Sequence, residues 1–583
     1  MVKKGLTAPN IILKEIPPNA PDFFYQRFDL GGGILNPDWP RITTDESVQG
    51  FPTRENGLNL LLINPPIREW SYPNIMPIGQ GYVASVATMD GHRVGVLDLN
   101  AARAKPIEDQ PASEFSAWVE EQITARLAMH KPDVIGVGGI ITQYARMKQI
   151  VSICKGVYPD VPVVVGGGSA SSMPEFMVER LGADIAVQGE GEVTSSELFH
   201  RLETGQPLDG LKGIAFRKEL RRGAWTVQNN GIRPSIQAQE RGLDSIPWPM
   251  RTLWPLDEVY KTNPVGHLNW ATKWQDGASV GTDQYSVSMI GSRGCPYAIS
   301  ACDYCYAAYL GPEYRLRSPK EVVDEMQYVK QRYDLAYIHF LDDLLLTNYR
   351  WNLDFCEELR DRRDKDGFEI TWGGTCRTNI VAAEVERAKN ENRLNFLERA
   401  YDVGMRQVGY GIESASQTIL TNIDKSGQTP ERIAIAVKET QRIFGYADCS
   451  FMIGSPGETR ETVQETVDVC KEIGLNPEVF FFTTAYPATK FWDLALEKGL
   501  ITKAVTGEKG SADDDMIEEY FMRLGEQGEA IRTNFSDLPD EEILELSWWA
   551  IEELGAQNTV RHPHTGEQQP RKPAVRSASR ANL

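Results

Sequence analysis

Cysteine is scarce in this chain, with eight among 583 residues. Basic charge is also short: 61 Lys and Arg face 81 Asp and Glu, for a net charge of −20. Nucleic-acid grooves and anionic membrane surfaces want clustered Lys and Arg, so no nucleic-acid partner and no membrane association is expected. Long apolar runs are missing too, and none approaches the roughly 18 residues that a membrane helix needs. No apolar stretch follows Met1-Val2-Lys3-Lys4-Gly5 in the manner of a signal peptide. Nothing in the sequence looks secreted, so a disulfide framework is not expected. The expectation is a soluble cytoplasmic protein, in the simplest case a monomer, whose acidity serves solubility. At this length, 41% hydrophobic content suffices for two or three domains with sizeable cores.

Against that scarcity, Cys295, Cys302 and Cys305 fall within eleven residues, with gaps of six and two. Three thiolates on one loop can hold three irons of a four-iron–four-sulfur cluster and leave the fourth iron open to a substrate or cofactor. A pair with two intervening residues is also a zinc half-site or a redox dithiol. Zinc needs a fourth ligand, and His267, His339, Cys356 and Cys376 have no paired spacing.

Two series of short apolar strands alternate with helical stretches. Leu58–Ile63, Arg93–Leu97, Val134–Val137, Val161–Val165 and Asp184–Val187 read as buried parallel strands of a doubly wound sheet. Ligands of such sheets bind beyond the carboxyl ends of the strands. The second series is Tyr285–Ile290, Tyr337–Leu341, Phe368–Trp372, Gln407–Ile412, Cys449–Ile453 and Val479–Thr483. It predicts a partial (β/α)6 TIM-like barrel, with its site at the strands' C-terminal ends. The fold class is therefore α/β: an extended arm over 1–56, a Rossmann-like domain over 57–220, a linker over 221–284, a barrel over 285–498, a helical region over 499–560 and a disordered tail over 561–583.

Glycine loops end the fourth and fifth strands of the first domain, at Gly166-Gly167-Gly168 and Gly189-Glu190-Gly191. Asn64-Pro65-Pro66, Pro77-Ile78-Gly79 and Gly91-His92-Arg93 precede them in order. This arrangement resembles the cobalamin-binding domain found ahead of many radical S-adenosylmethionine (SAM) cores. The cysteine loop, with Tyr304 before its last cysteine, and the strand-end motifs of the second series resemble the radical SAM barrel. Together they point to the cobalamin-dependent radical SAM enzymes, the class B methyltransferases. The first cysteine gap is longer than the family's usual three residues. Asp342 stands where the family usually has Gly-Gly-Glu.

That resemblance implies three cofactors: a four-iron–four-sulfur cluster on Cys295, Cys302 and Cys305, SAM, and cobalamin as methylcobalamin. SAM contacts would come from Asp342, Arg377, Glu413 and the backbone at Gly454. Cobalamin contacts would come from Gly138, Gly166, Gly167, Gly189 and Glu190. No Asp-x-His-x-x-Gly run is present, so no histidine is expected beneath the cobalt. The loops at Gly138–Tyr144 and around Arg68 are the candidates for its lower face. The implied activity is methyl transfer to an unactivated carbon or phosphorus of a small-molecule or peptide substrate. An external donor such as flavodoxin or ferredoxin would supply electrons. Ring formation or rearrangement without net methyl transfer, and a non-enzymatic cobalamin carrier, are the alternatives.

Overall fold

The computed structural model describes residues 53–66, 75–102, 112–220, 223–236, 242–260, 285–298, 302–306, 313–477, 480–524, 531–555, 559–561 and 568–570. The arm through residue 52, Arg68 and its loop, residues 261–284 of the expected linker and nearly all of the tail lie outside the described residues. Thr559–Arg561 and Gln568–Pro570 pair antiparallel near the chain's end.

The first sheet runs in the order β2-β1-β3-β4-β5-β6-β7. Its strands are β1 (Asn59–Asn64), β2 (Arg93–Asp98), β3 (Val134–Gly138), β4 (Val163–Gly166), β5 (Ile185–Val187), β6 (Ile214–Glu219) and β7 (Trp225–Asn229). β1 to β5 are parallel, as their unbroken apolar sequences dictate when helices cover both faces. β6 and β7 add an antiparallel edge that the sequence reading missed. The sheet therefore continues past residue 220, into the expected linker. The strand order reverses between β1 and β3, which places the ligand crevice at the ends of Asn64 and Gly138.

The second sheet contains β8 (Ser286–Met289), β11 (Tyr337–Phe340), β12 (Thr371–Cys376), β13 (Met405–Glu413), β14 (Asp448–Ile453) and β15 (Phe480–Phe482). All are parallel, in the order β15-β14-β13-β12-β11-β8, as a curled partial barrel. β9 (Ser292–Arg293) and β10 (Arg315–Leu316) form a small antiparallel pair that flanks the cysteine loop. Ser318, Thr429 and Thr459 cap three barrel helices by accepting from backbone amides three residues on.

The two domains share their cores. One apolar cluster joins Leu62, Tyr82 and Val96 of the first sheet layer to Met289, Phe340 and Trp372 of the barrel. The segment after β7 straps them together: the Trp248 carbonyl accepts from Ser85 at 2.6 Å, and its indole donates to Glu321 at 2.8 Å. The C-terminal helix Asp514–Arg523 bridges back to the first domain, where Glu518 accepts from Tyr144 at 3.1 Å. No described helix is long and apolar enough to cross a membrane.

Candidate active site

The cysteine loop leaves β9 and is pinned at several points. Cys302 has φ +67° and donates its amide to the Asp424 carbonyl at 2.7 Å. Asp303 donates to the Ile423 carbonyl at 3.2 Å, and Cys305 to the Cys302 carbonyl at 2.8 Å. Lys490 pairs with Asp303 at 2.6 Å. All three thiols are free and half-buried. Burial pushes the Cys295 thiol up, and Cys302 and Asp343 act on it as neighbouring negative charges. Among the described residues, no three His, Cys, Asp or Glu side chains converge on a single ion.

Besides Lys490, two buried cations approach this loop. Arg377, at the end of β12, points Nη1 at the Cys302 sulfur at 3.9 Å and donates Nη2 to the Ser426 carbonyl at 2.9 Å. Its guanidinium lies 3.9 Å from the centre of the Tyr297 ring, and its Nε is buried without a partner. Lys425 donates to Glu413 at 3.0 Å and to the Tyr304 hydroxyl at 2.7 Å. Burial alone would lower the Lys425 pKa, but the charges on Glu413 and Cys302 raise it above the ordinary value. Glu413 sits at φ +66°, a strained conformation for a non-glycine residue, and also accepts from Tyr304 at 2.9 Å. The sequence reading did not single out Lys425, which no motif marks.

Asp342 does not face the site as expected. Its carboxylate accepts the Gly291 amide at 3.0 Å and the Ser292 hydroxyl, which ties off the loop after β8. Burial pushes it up to about 6. Asp343 is the accessible carboxylate. It is exposed, yet desolvation pushes it up to about 6. Cys376 is fully buried, donates to the Leu346 carbonyl at 3.3 Å and points away. Gly454, at φ +88°, has its amide taken by Glu458 at 3.2 Å and its carbonyl by Phe535 at 2.9 Å.

The carboxyl edge of the first sheet offers a glycine cradle. Gly167 has φ +95°, and a Cβ there would stand 2.5 Å from the Gly139 carbonyl oxygen. A Cβ at Gly138 would meet the Gln80 amide at 2.6 Å, whereas Gly166 opens on empty space. The Gln80 side-chain oxygen is buried without a partner. Ile140 and Ile232 present apolar side chains at this edge, 42% and 51% exposed. Gly189, at φ +73°, donates its amide to Ser171 at 2.9 Å. A glycine-lined edge with apolar rims suits a large flat macrocycle. His92 and His130 lie at the opposite, amino end of the sheet, against Leu58 and Leu60.

Glu190 is displaced from its expected role. Instead of facing the cradle, it is gripped by Arg293 and Arg315 of the barrel at 2.9 and 3.0 Å. Burial alone would raise its pKa; the two guanidiniums and the Ile236 amide hold it below the usual range. At the other end of the cysteine loop, the Tyr306 hydroxyl meets Ser172 at 2.8 Å, on the helix that opens at Gly168. The cysteine loop and the glycine cradle are therefore in contact.

Family comparison agrees with this geometry. Residues 71–199 match the B12 binding domain, and residues 289–470 match the radical SAM superfamily. The chain belongs to the cobalamin-dependent radical SAM enzymes. Its cofactors are accordingly a four-iron–four-sulfur cluster, SAM and cobalamin, and its place is with the radical SAM methyltransferases. An uncharacterized methyltransferase of Pyrococcus horikoshii is 28% identical over 451 residues, which covers 76% of this chain and 84% of the relative. The cytidylyl-2-hydroxyethylphosphonate methyltransferase of Streptomyces wedmorensis is 23% identical, with 78% and 84% covered. The radical SAM methyltransferase TsrM of Kitasatospora setae, solved with cobalamin and a [4Fe-4S] cluster bound, has a TM-score of 0.58 at 19% identity. That match covers 86% of this chain and 88% of TsrM, and supports the fold.

Proposed function

We propose that this radical SAM enzyme transfers a methyl group to an unactivated carbon or phosphorus centre of a small-molecule or peptide substrate. When bound, the cluster supplies the electron that cleaves SAM, and methylcobalamin supplies the methyl group. The observation that supports the reading is the Tyr306–Ser172 contact at 2.8 Å, which ties the cysteine loop to the glycine cradle.

The chain's own residues bind, orient and exclude. Cys295, Cys302 and Cys305 would hold the cluster. Asp343 takes the place expected of Asp342 as acceptor for the SAM ammonium group. Arg377 would face the SAM carboxylate with its unpartnered Nε. Glu413, held by Lys425 and Tyr304, would accept from a ribose hydroxyl or the methionine amine. Gly166 and Gly167 would let the corrin approach the backbone. Thr533 and Phe535 cross the ends of β15 and β14, through hydrogen bonds to the Thr483 and Gly454 carbonyls. They would shape the substrate side of the cleft. Flavodoxin or ferredoxin remains the proposed electron source.

The test is iron, sulfide and corrinoid content after anaerobic reconstitution of the parent and of Cys302→Ala. The parent is expected to hold about four irons, the content of one such cluster, together with cobalamin, and the variant to lose iron and keep corrinoid. Zinc in place of iron would overturn the cluster assignment. With substrate candidates, methyl transfer makes S-adenosylhomocysteine and 5′-deoxyadenosine together. 5′-Deoxyadenosine alone would replace it with ring formation or rearrangement.

A further inference from the structure

The cysteine loop is the connection of a hairpin whose base carries two directly opposed arginines. In the β9–β10 pair, Arg293 stands opposite Arg315, and each side chain is 13% exposed. Like charges facing each other across a strand pair repel, and more so when water is excluded. The neck is also tight, since a Cβ on Gly294 would stand 2.3 Å from the Glu313 carbonyl oxygen.

The compensating charge comes from the other domain. Glu190 accepts from Arg293 Nη1 at 2.9 Å and from both terminal nitrogens of Arg315 at 3.0 Å. Glu192 takes the remainder of Arg293 at 2.5 and 3.2 Å. The Ile236 amide donates to Glu190 at 2.6 Å, and its carbonyl accepts from Arg315 at 3.0 Å. Arg293 also lies 5.0 Å from the centre of the Tyr82 ring, on helix Ile78–Met89. Two guanidiniums and two carboxylates thus balance at the root of the loop, with both acids supplied by the cobalamin-binding domain.

We infer that Glu190 is a positioning residue for the iron–sulfur cluster: by neutralising the opposed Arg293 and Arg315, it clamps the base of the hairpin that presents Cys295, Cys302 and Cys305. The inference rests on those cysteines being the cluster ligands. It crosses the domain boundary, because a residue of the corrin-binding half governs whether the other half takes up iron.

The test uses the full chain. Glu190→Met leaves one guanidinium uncompensated at the hairpin base. Glu190→Met with Arg315→Met removes that excess while Arg293 keeps Glu192. Iron and corrinoid are counted separately after anaerobic reconstitution with iron, sulfide and hydroxocobalamin. Amide exchange at residues 291–295 is followed in the apo protein. Glu190→Met is expected to lose most of its iron, keep its corrinoid and exchange faster at 291–295. The double variant is expected to recover iron and slow exchange. A corrinoid contact by Glu190 would give the reverse: corrinoid lost, iron kept, and no rescue by a change at Arg315. That pattern, or parent-like iron and exchange in Glu190→Met, overturns the inference. If the parent itself binds no iron, the cluster reading fails. Exchange in the apo protein then decides separately whether Glu190 clamps the hairpin.

Discussion

Glu458 lies beneath the loop after β14 and is 3% exposed. One oxygen accepts the amides of Gly454 and Ser455 at 3.2 Å each, and the other accepts the Thr462 hydroxyl at 3.4 Å. Burial outweighs these bonds and pushes the carboxyl from 4.5 up to about 7. The native state therefore holds this proton more tightly than the unfolded chain does. Stability from the group is full below pH 4.5 and falls as pH rises to about 7. A shift of this size corresponds to about 3 kcal/mol lost between those limits. In Glu458→Gln, the amide oxygen keeps the two backbone bonds, its NH2 group can donate to Thr462, and nothing ionises. The variant is expected to be more stable than the parent by about 3 kcal/mol at pH 8, or roughly 6–12 °C in the melting temperature of a barrel-sized unit. At pH 5 the gain should shrink to about 1 kcal/mol. Scanning calorimetry of the apo protein at both pH values decides. A variant less stable than the parent at pH 8, or equally more stable at both, would refute the reasoning.

Two further outcomes follow from packing. Glu325 is 1% exposed between Arg251 of the strap at 2.6 Å and Arg317, and all three are buried. Glu325→Gln leaves two guanidiniums short of charge, with an expected cost of about 3–5 kcal/mol in denaturant unfolding; a loss below 1 kcal/mol would contradict the network. Gly167→Ala forces a Cβ into the Gly139 carbonyl at a positive φ, a strain of order 1–3 kcal/mol. Titration of the apo protein should then show corrinoid affinity weakened about tenfold or more with iron content unchanged.

Much of this architecture is legible in the amino acids. Leu60-Leu61-Leu62-Ile63 and Val163-Val164-Val165 announce buried parallel strands because a two-sided burial leaves no polar alternation to confuse them. The cysteine spacing stands out because the rest of the chain is so poor in thiols. The ion network at Glu190 was not legible. Arg293 and Arg315 lie 103 and 125 residues away from it, and no local pattern encodes a partner at such a distance. Beside a glycine loop, Glu190 instead looks like a ligand contact. The β6–β7 edge was missed because its strands mix Arg, Lys, Glu and Gln with few apolar residues.

The first sheet is built entirely from residues 59–229, and every residue that it offers to the barrel precedes Cys295 in the chain. Domains fold as units, amino-terminal first, as synthesis proceeds. The segment carrying Glu190, Glu192 and Ser172 is therefore synthesised before the cysteine loop emerges. The loop enters a world in which its counterpart already exists, so the earlier half acts as a template against which the later one is shaped. A transplanted barrel would need that template carried along with it.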